Sequence, residues 1–438
     1  MRLIITIIIV KIVRFILKII GRGSSFPGKL ALKLYPDILN KIALPKYIIA
    51  VTGSNGKTST TEMLYEVLKN GGYSIAYNQE GSNQIDGVAT LILNNSTITG
   101  HFNKDVLLIE SDERYAQYTF SYFTPTHYII TNICRDQMTR NGNPEFVLNE
   151  IKKSIKNGSE LIVNVDDPYL VNLAGEKAIY FGINDNSKKK NNYLYDDGYY
   201  CPACNNKLKY KSYIYAHLGN YECKKCGLKR VEPKYFVSNY DRENGIITIN
   251  DKCKLKLGLN SIYNAYNVLA VYSMSKQIGI EDAIIENTLN NYLLHNGRVK
   301  TFKIGLNEGT LLISKHENSV SYNQNIEYVL NQNNKVTLLF IVDAISRKYF
   351  TSETSWLWDI NFEVLEDDNV SKVIILGQYA NDVALRLSYT NINNNKLYIE
   401  PSIVEGIKFI KENKLDYLYA LTCFSDEKKL INEVILND

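Results

Sequence analysis

Short apolar runs alternate along this chain with polar, glycine-containing breaks, and the alternation predicts its elements. "KYIIAVTG" at 46–53 is rich in β-branched residues and ends on glycine, which reads as a buried strand. Met63, Leu64, Val67 and Leu68 then recur at helical spacing. "DVLLIESDE", "HYIITNI" and "ELIVNVDD" repeat the strand pattern, and each run closes on polar residues. Strands buried on both faces, separated by helical text and polar at their carboxyl ends, predict a parallel sheet that binds its ligand at those ends. Strand text resumes at "GIITINDKCKLKLG", and a helix-rich stretch starts at Asn264 and runs to the neighbourhood of Leu294. A last α/β unit begins near Arg298, with strands at "VTLLFIVDA", "KVIILG", "KLYIE" and "DYLYALT". The predicted fold class is α/β. A helical segment covers 1–45, a central domain with a parallel sheet covers 46–297 and carries an insert near 198–232, and a Rossmann-like α/β domain covers 298–438.

The opening "MRLIITIIIVKIVRFILKII" is apolar enough to suggest a span or a signal sequence, yet Lys11, Arg14 and Lys18 interrupt it. These fall at i, i+3 and i+7, one stripe of a helix. Three central cations are costly in a bilayer, and no small-residue cleavage site follows. The expectation is a helix lying in a membrane surface, with structural packing as the plain alternative.

Composition narrows the remainder. The chain has 438 residues, enough for two to four domains, of which 45% are apolar and 22% charged. Fifty Lys and Arg against 46 Asp and Glu leave a formal charge of only +4, which gives no case for nucleic acid as the partner. Seven cysteines, an odd number, fit a reducing cytoplasm better than a disulfide framework.

Two motifs carry chemistry. The first is "TGSNGKTS", set between a strand and a helix. Gly53 and Gly56 allow close backbone approach to phosphate, Lys57 can neutralise the β/γ oxygens, the Thr58 hydroxyl can ligate Mg²⁺, and Asn55 and Ser59 of the same stretch are further candidates for binding the nucleotide. The motif predicts an ATP phosphate loop. "ESDE" closes the next strand run, where Glu110, Asp112 or Glu113 can complete a Mg²⁺ shell. The second motif is Cys201-x2-Cys204-x18-Cys223-x2-Cys226. Two CxxC knuckles at this spacing predict a closed tetrahedral thiolate site for structural Zn²⁺, as in zinc ribbons. His217, within the intervening loop, reads as a surface residue rather than a ligand.

With "EGSNQIDGVAT", "TNICRDQMTRNG", "VNVDDP", "NAYNVLAVY" and "NGRVKTF" added in that order, the chain resembles the Mur ligases. The four-cysteine insert and "SWLWDINFE" make it most similar to the MurT type, ligase subunits that work with a GatD-type glutamine amidotransferase. The resemblance covers nearly the whole chain. It implies a central ATPase domain and an ATP-dependent ligase that activates a carboxylate of a cell-wall precursor as an acyl phosphate; in the MurT type ammonia then amidates D-glutamate in lipid II. It implies cofactors ATP, Mg²⁺ and structural Zn²⁺, and a cytoplasmic enzyme peripheral at the inner face of the membrane. Lys57 and Thr58 match the loop residues, Glu110 and Glu113 the acidic cluster that places Mg²⁺, and Asn83 a residue near the substrate. Asn264 and Asn267 match asparagines near the adenine, with helix capping as their alternative role. Arg298 matches a hinge arginine aimed at the phosphates. The four cysteines match the zinc ligands. Two departures stand out. Glu353 occupies the place of an aspartate that completes the partner's Cys-His-Asp triad, and an expected N-P-A-G is replaced by "SKHENSVSYNQ". The changed "SETSW" region leaves a stand-alone peptide ligase, such as the pseudomurein ligases, as the alternative.

Overall fold

The computed structural model describes residues 1–19, 23–78, 82–137, 141–185, 195–292, 299–332, 334–345, 353–431 and 435–436. Arg298 therefore lies outside the described residues. The chain divides into two units, the first made of Met1–Cys134, Pro144–Lys190 and Gly198–Leu293 and the second of Arg135–Asn143, Asn191–Asp197 and Leu294–Asp438.

The first unit is built on a nine-stranded sheet. Its strands are β1 (Tyr47–Thr52), β2 (Ile75–Tyr77), β3 (Val106–Glu110), β4 (His127–Ile130), β5 (Glu160–Asn164) and β6 (Ile179–Ile183). After the hairpin β7 (Lys209–Tyr215) and β8 (Leu218–Glu222) come β9 (Tyr235–Asp241), β10 (Ile246–Ile249) and β11 (Cys253–Lys256). The order across the sheet is β11-β10-β9-β6-β5-β4-β1-β3-β2. Strands β1 to β6 and β9 pair in parallel, while β10 and β11 form an antiparallel meander at the edge. The central strands are covered on both faces, which is why β1, β3 and β4 are unbroken apolar runs rather than alternating ones. β7 and β8 form a separate two-stranded sheet inside the insert.

Helices α1 (Arg2–Ile19) and α2 (Phe26–Leu34) pack against α4 (Ile85–Asn94), and α3 (Lys57–Asn70) follows β1. Ile7, Val10, Ala31, Ile38 and Leu39 share one core with sheet residues such as Ile48, Leu107 and Ile130, so one face of the N-terminal helices contributes to this unit's interior. The helix-rich stretch predicted from Asn264 is two helices, Ile262–Gln277 and Asp282–Asn290. Gly279 lies between them at φ +84°, a conformation that ends a helix at little cost for glycine alone.

The second unit has a seven-stranded sheet formed by β12 (Val299–Ile304), β13 (Asn307–Ser314), β14 (Val336–Ile341), β15 (Val370–Leu376), β16 (Leu397–Glu400), β17 (Tyr417–Cys423) and β18 (Ile435–Leu436). Its order is β16-β15-β14-β17-β13-β12-β18, parallel from β16 to β13 and antiparallel at β12 and β18. A separate apolar core lies on each face. Two short segments from far earlier in the chain belong to this unit. Arg135 donates from Nε and Nη2 to Asp197 Oδ1 (2.8 and 2.6 Å) and from Nη1 to Asp359 Oδ2 (2.8 Å), with the Tyr195 ring 3.8 Å below the guanidinium. Asn318 donates to buried Asp136 (2.5 Å), and Lys315 stands 3.6 Å from the same carboxylate.

Candidate active site

The phosphate loop falls between β1 and α3, at the carboxyl edge of the parallel sheet, where helix N-terminal N–H groups face outward. Gly53 and Gly56 are at φ +130° and +84°. A Cβ at Gly56 would collide with Asn267 Oδ1, and one at Gly53 with the Thr131 hydroxyl, so both positions need glycine for space as well as for conformation. The loop is strapped to the segment after β4. Ser54 N–H donates to Asn132 O (2.9 Å), its hydroxyl to Cys134 O (2.9 Å), and Asn55 N–H to Asn132 Oδ1 (3.1 Å). The Thr131 hydroxyl and the Asn132 amide return bonds to Asn55 O (2.6 and 3.1 Å).

Lys57 is only 8% exposed and opens α3. Its Nζ donates to Gly53 O (2.5 Å) and to Glu113 Oε1, a carboxylate 3% exposed. Thr58 and Ser59 sit half-buried in the first turn of the same helix. Glu110 ends β3 opposite Val51 of β1. Its N–H donates to Asn78 Oδ1 and its carbonyl accepts from Asn78 Nδ2, both at 2.8 Å, which pins the strand end. Burial, and after it the charges of Glu62, Tyr65, Glu66 and Glu110, push the Tyr77 phenol up to about 12. Asp112 is buried and accepts from Arg114 N–H (3.1 Å). Asn83 O lies 3.5 Å from Asp112 N, beside this acidic turn.

Asn264 and Asn267 occupy the first two turns of helix Ile262–Gln277, and both are buried. Ser261 is the N-cap, its hydroxyl accepting from Asn264 N–H (3.4 Å), so neither asparagine caps the helix. Asn264 Nδ2 instead donates to Leu259 O (3.0 Å), and Asn267 rests against the loop at Gly56. Lys57, Glu113 and Asn267 thus meet at the loop, while Glu110 and Asn83 bond to Asn78 and to Asp112 N at the end of β3.

The Sγ atoms of Cys201, Cys204, Cys223 and Cys226 all lie within 4.8 Å of one another, with the 201–226 and 204–223 pairs at 3.5 Å. Four sulfurs around a tetrahedral zinc at ~2.3 Å stand about 3.8 Å apart, so the set fits such an ion and leaves no fifth position. Backbone N–H groups of Cys226 and Lys225 hold the Cys223 thiol down to about 6, which favours the thiolate a metal needs, while burial holds Cys201 up to about 12.

The expectation for His217 is corrected. It is buried, stacked edge-on against Tyr169 (5.7 Å), with Nε2 3.6 Å from Asp167 Oδ1. The β7–β8 turn folds back onto the main sheet, which its loop-like sequence did not signal; Gly219 N–H donating to Asp166 O (2.9 Å) fastens it. His217 is not among the metal-ligand set.

In the second unit, Glu353 is exposed, and its Oε1 accepts from Ser355 N–H (2.8 Å) ahead of the 3₁₀ turn Ser355–Asp359. That bond, from the side chain and N–H of Ser355, lowers the Glu353 carboxyl below its usual range. Trp356 of the turn is buried in the core, and Trp358 is half-exposed against Tyr389 (5.2 Å).

Residues 51–275 match the family model described as the Mur ligase middle domain, and residues 316–426 match the one described as the MurT ligase C-terminal domain. The chain belongs to the Mur ligase family. Within it the chain is of the MurT type: it is 30% identical over 376 residues to the Staphylococcus aureus (strain COL) lipid II isoglutaminyl synthase (glutamine-hydrolyzing) subunit MurT, covering 85% of this chain and 84% of that one. The corresponding subunit of Streptococcus pneumoniae (strain ATCC BAA-255 / R6) is 30% identical over 419 residues, covering 94% and 92%. A pseudomurein peptide ligase type C from Methanothermus fervidus shares the fold, with a TM-score of 0.71 at 20% identity, over 91% of this chain and 80% of that chain. MurF from Thermotoga maritima, solved in complex with ADP, does so with a TM-score of 0.60 at 16% identity, over 91% and 80%. As a Mur ligase the protein is an ATP-dependent carbon–nitrogen ligase, and members of this family use ATP and Mg²⁺.

Sequence reasoning assigned no role to Asn78, Thr131 or Asn132. A sign was present for Thr131 and Asn132, the polar pair that directly follows the strand-like run "HYII", where a parallel sheet gathers its ligand-side contacts; Asn78 follows a strand of only three residues.

Proposed function

We propose that this protein is the ligase subunit of a two-subunit amidating enzyme, converting the D-glutamate α-carboxylate of a lipid-linked wall precursor to an amide. Ammonia would come from glutamine hydrolysed by a GatD-type partner. The observation that carries the reading is the pairing of an intact phosphate loop with a MurT-type C-terminal domain, in a chain alike over most of its length to two isoglutaminyl synthase subunits.

A carboxylate resists nucleophiles because oxide is a poor leaving group. Its oxygen attacks the γ-phosphorus of ATP, giving an acyl phosphate and ADP. Ammonia then attacks the acyl carbon, phosphate leaves, and the amide forms. Lys57 at the start of α3 would carry positive charge to the transferring phosphoryl group, and the N–H groups of the glycine loop would cradle the phosphates. Thr58 and Glu110 would hold Mg²⁺, which supplies charge neutralisation at the β and γ oxygens. Glu113 would set the position of Lys57, and Asn83 that of the acceptor. Asn267, with Asn264 behind it, would border the adenine, and Arg298 would reach the phosphates from the start of the C-terminal domain. Zn²⁺ on the four cysteines would cross-link two knuckles and perform no chemistry. Glu353, on the exposed face of the second unit, would orient the partner's histidine. A lipid-linked acceptor sets the place of work at the cytoplasmic face of a membrane.

The test is ADP release by the purified chain on lipid II, with ammonium, with glutamine, and with glutamine plus a co-expressed amidotransferase. The expected result is turnover with ammonium alone and glutamine turnover only with the partner. Turnover that requires a free amino acid and no partner would replace this reading with a peptide ligase.

A further inference from the structure

Helix α1 has two apolar faces, and only one is used. Thr6, Ile7 and Val10 are buried against the first unit. On the opposite side of the 3.6-residue repeat stand Ile4, Ile5, Ile8, Ile12, Phe15 and Ile16, all exposed, with Ile12 at 54% and Phe15 at 70%. Six large apolar side chains in one stripe form a patch that an isolated protein surface does not ordinarily carry. Lys11, Arg14 and Lys18 run along one border between the two faces, and the outward stripe contains no cation. Residues 1–36 contain seven Lys and Arg and no Asp or Glu. Among the described residues, no helix is long and apolar enough to cross a membrane.

We propose that the outward face of α1 docks on the surface of an anionic lipid bilayer, the isoleucine–phenylalanine stripe entering the headgroup–acyl boundary, with exposed Lys18 meeting lipid phosphate and with Lys11 and Arg14, which bond Asn94 O and Gly23 O, adding positive charge along the border. An apolar stripe edged by cations, with a local charge of one sign, is complementary to such a surface and to few others. A contact between this face and the same face of a second copy would set like charges together, since the segment holds no acid to match them.

The mounting is rigid and leads towards the candidate active site. Lys11 Nζ donates to Asn94 O (3.3 Å) at the end of α4. Gly28 N–H of α2 donates to the Thr90 hydroxyl (2.8 Å), and a Cβ at Gly28 would strike the Asp86 carbonyl, so α2 rides on the backbone of α4. The Ser25 and Ser82 hydroxyls are hydrogen-bonded, and Ser82 adjoins Asn83 at the acidic turn. A membrane against α1 therefore lies on the side of the unit whose contacts run through α4 to Asn83. The proposed function explains why such docking would be useful; the docking face is argued from the helix alone.

The experiment is flotation of the full chain with vesicles of phosphatidylglycerol and phosphatidylethanolamine, against vesicles of phosphatidylcholine. The expected result is binding to the anionic vesicles at least about tenfold stronger than to the neutral ones, weakened by salt. The double substitution Ile12→Ser and Phe15→Ser, at exposed positions, lowers binding by about tenfold or more and leaves ATP-analogue binding unchanged. Wild-type chain that does not float, or a double variant that floats equally, overturns the proposal. So does a wild-type dimer, seen by sedimentation, that the double variant abolishes while vesicles have no effect; the stripe would then be a contact between copies. Lipid binding is read without turnover, so failure of the amidation reading leaves this result standing.

Discussion

Replacing Lys57 by methionine separates what this side chain does for the fold from what it does for the reaction. Both Lys57 and Glu113 are almost wholly enclosed, at 8% and 3% exposed, and they bond directly. Removing one member of a buried pair leaves the other charge unmatched, at a cost of about 3 kcal/mol or more. For a unit of this size each kcal/mol lowers Tm by ~2–4 °C, so Lys57→Met should melt about 6–12 °C below wild type. In the double variant Lys57→Met, Glu113→Gln the stranded charge is gone, and most of the loss should return. Activity should not follow, because the cation that meets the phosphates is absent in both; ADP release should fall at least about 100-fold in each. Scanning calorimetry and a coupled ADP assay on the three proteins decide the matter. A double variant as unstable as the single one would show that Glu113 is not what Lys57 stabilises. Undiminished ADP release from Lys57→Met would remove the loop from the chemistry altogether.

Further expectations can be checked in the same preparations. Gly56→Ala places a Cβ against Asn267 Oδ1 at φ +84°, a strain of about 1–2 kcal/mol before the clash, and should weaken ATP binding about tenfold or more by calorimetric titration. Cys204→Ser should lower zinc content, read by plasma emission, and lower Tm, and chelation of wild type should do the same; a zinc-free variant of unchanged Tm would refute a structural site. Glu353→Gln should reduce glutamine-driven turnover about tenfold or more while leaving ammonium-driven turnover intact, since the residue is exposed at the surface of the second unit and is assigned to the partner's triad rather than to the phosphate loop. Burial lowers the His127 pKa below 6.5, with Glu160 opposing at 3.4 Å. The folded state therefore favours neutral imidazole, the unfolded chain binds the extra proton, and this contribution to stability is complete above pH 6.5 and is lost as pH falls below it. His127→Gln should flatten the slope of Tm against pH between 6.5 and 5.

The sheet of the first unit was readable because its strands are buried on both faces, so "YIIAVT", "VLLIE" and "HYII" appear as bare apolar words. The glycine loop was readable because its backbone requirements select residue types directly, as the tight approach of Asn267 to Gly56 bears out. Two strands were harder. β9, third from one edge, is only partly buried and contains Ser238 and Asn239, and β2, at the other edge, has three residues, too few for a periodic signal. The side chains that strap the loop, Thr131 and Asn132, were invisible as contacts because they come from about 76 residues away in sequence, and only the sheet order brings β4 beside β1. The burial of His217 has the same origin: nothing local tells a hairpin tip which surface it will fold against. Lys57 resting on Glu113 also depends on register, since β1 and β3 must align Val51 with Glu110 before the turn can deliver the carboxylate.

The polypeptide returns to its second unit three times, and this bears on how the molecule can be dissected. A fragment beginning at residue 299 would possess every strand of the C-terminal sheet yet lack Arg135, Asp136 and Asp197. Asp359 would lose its guanidinium and Asn318 its carboxylate, so the excised piece would carry exposed or orphaned polar groups where the intact protein has bonds of 2.8 and 2.5 Å. Cleavage at an engineered protease site placed between the two portions should accordingly leave them associated rather than release separable halves. Expression of either portion by itself is expected to give poorly behaved material, whereas co-expression of both should reconstitute the native species.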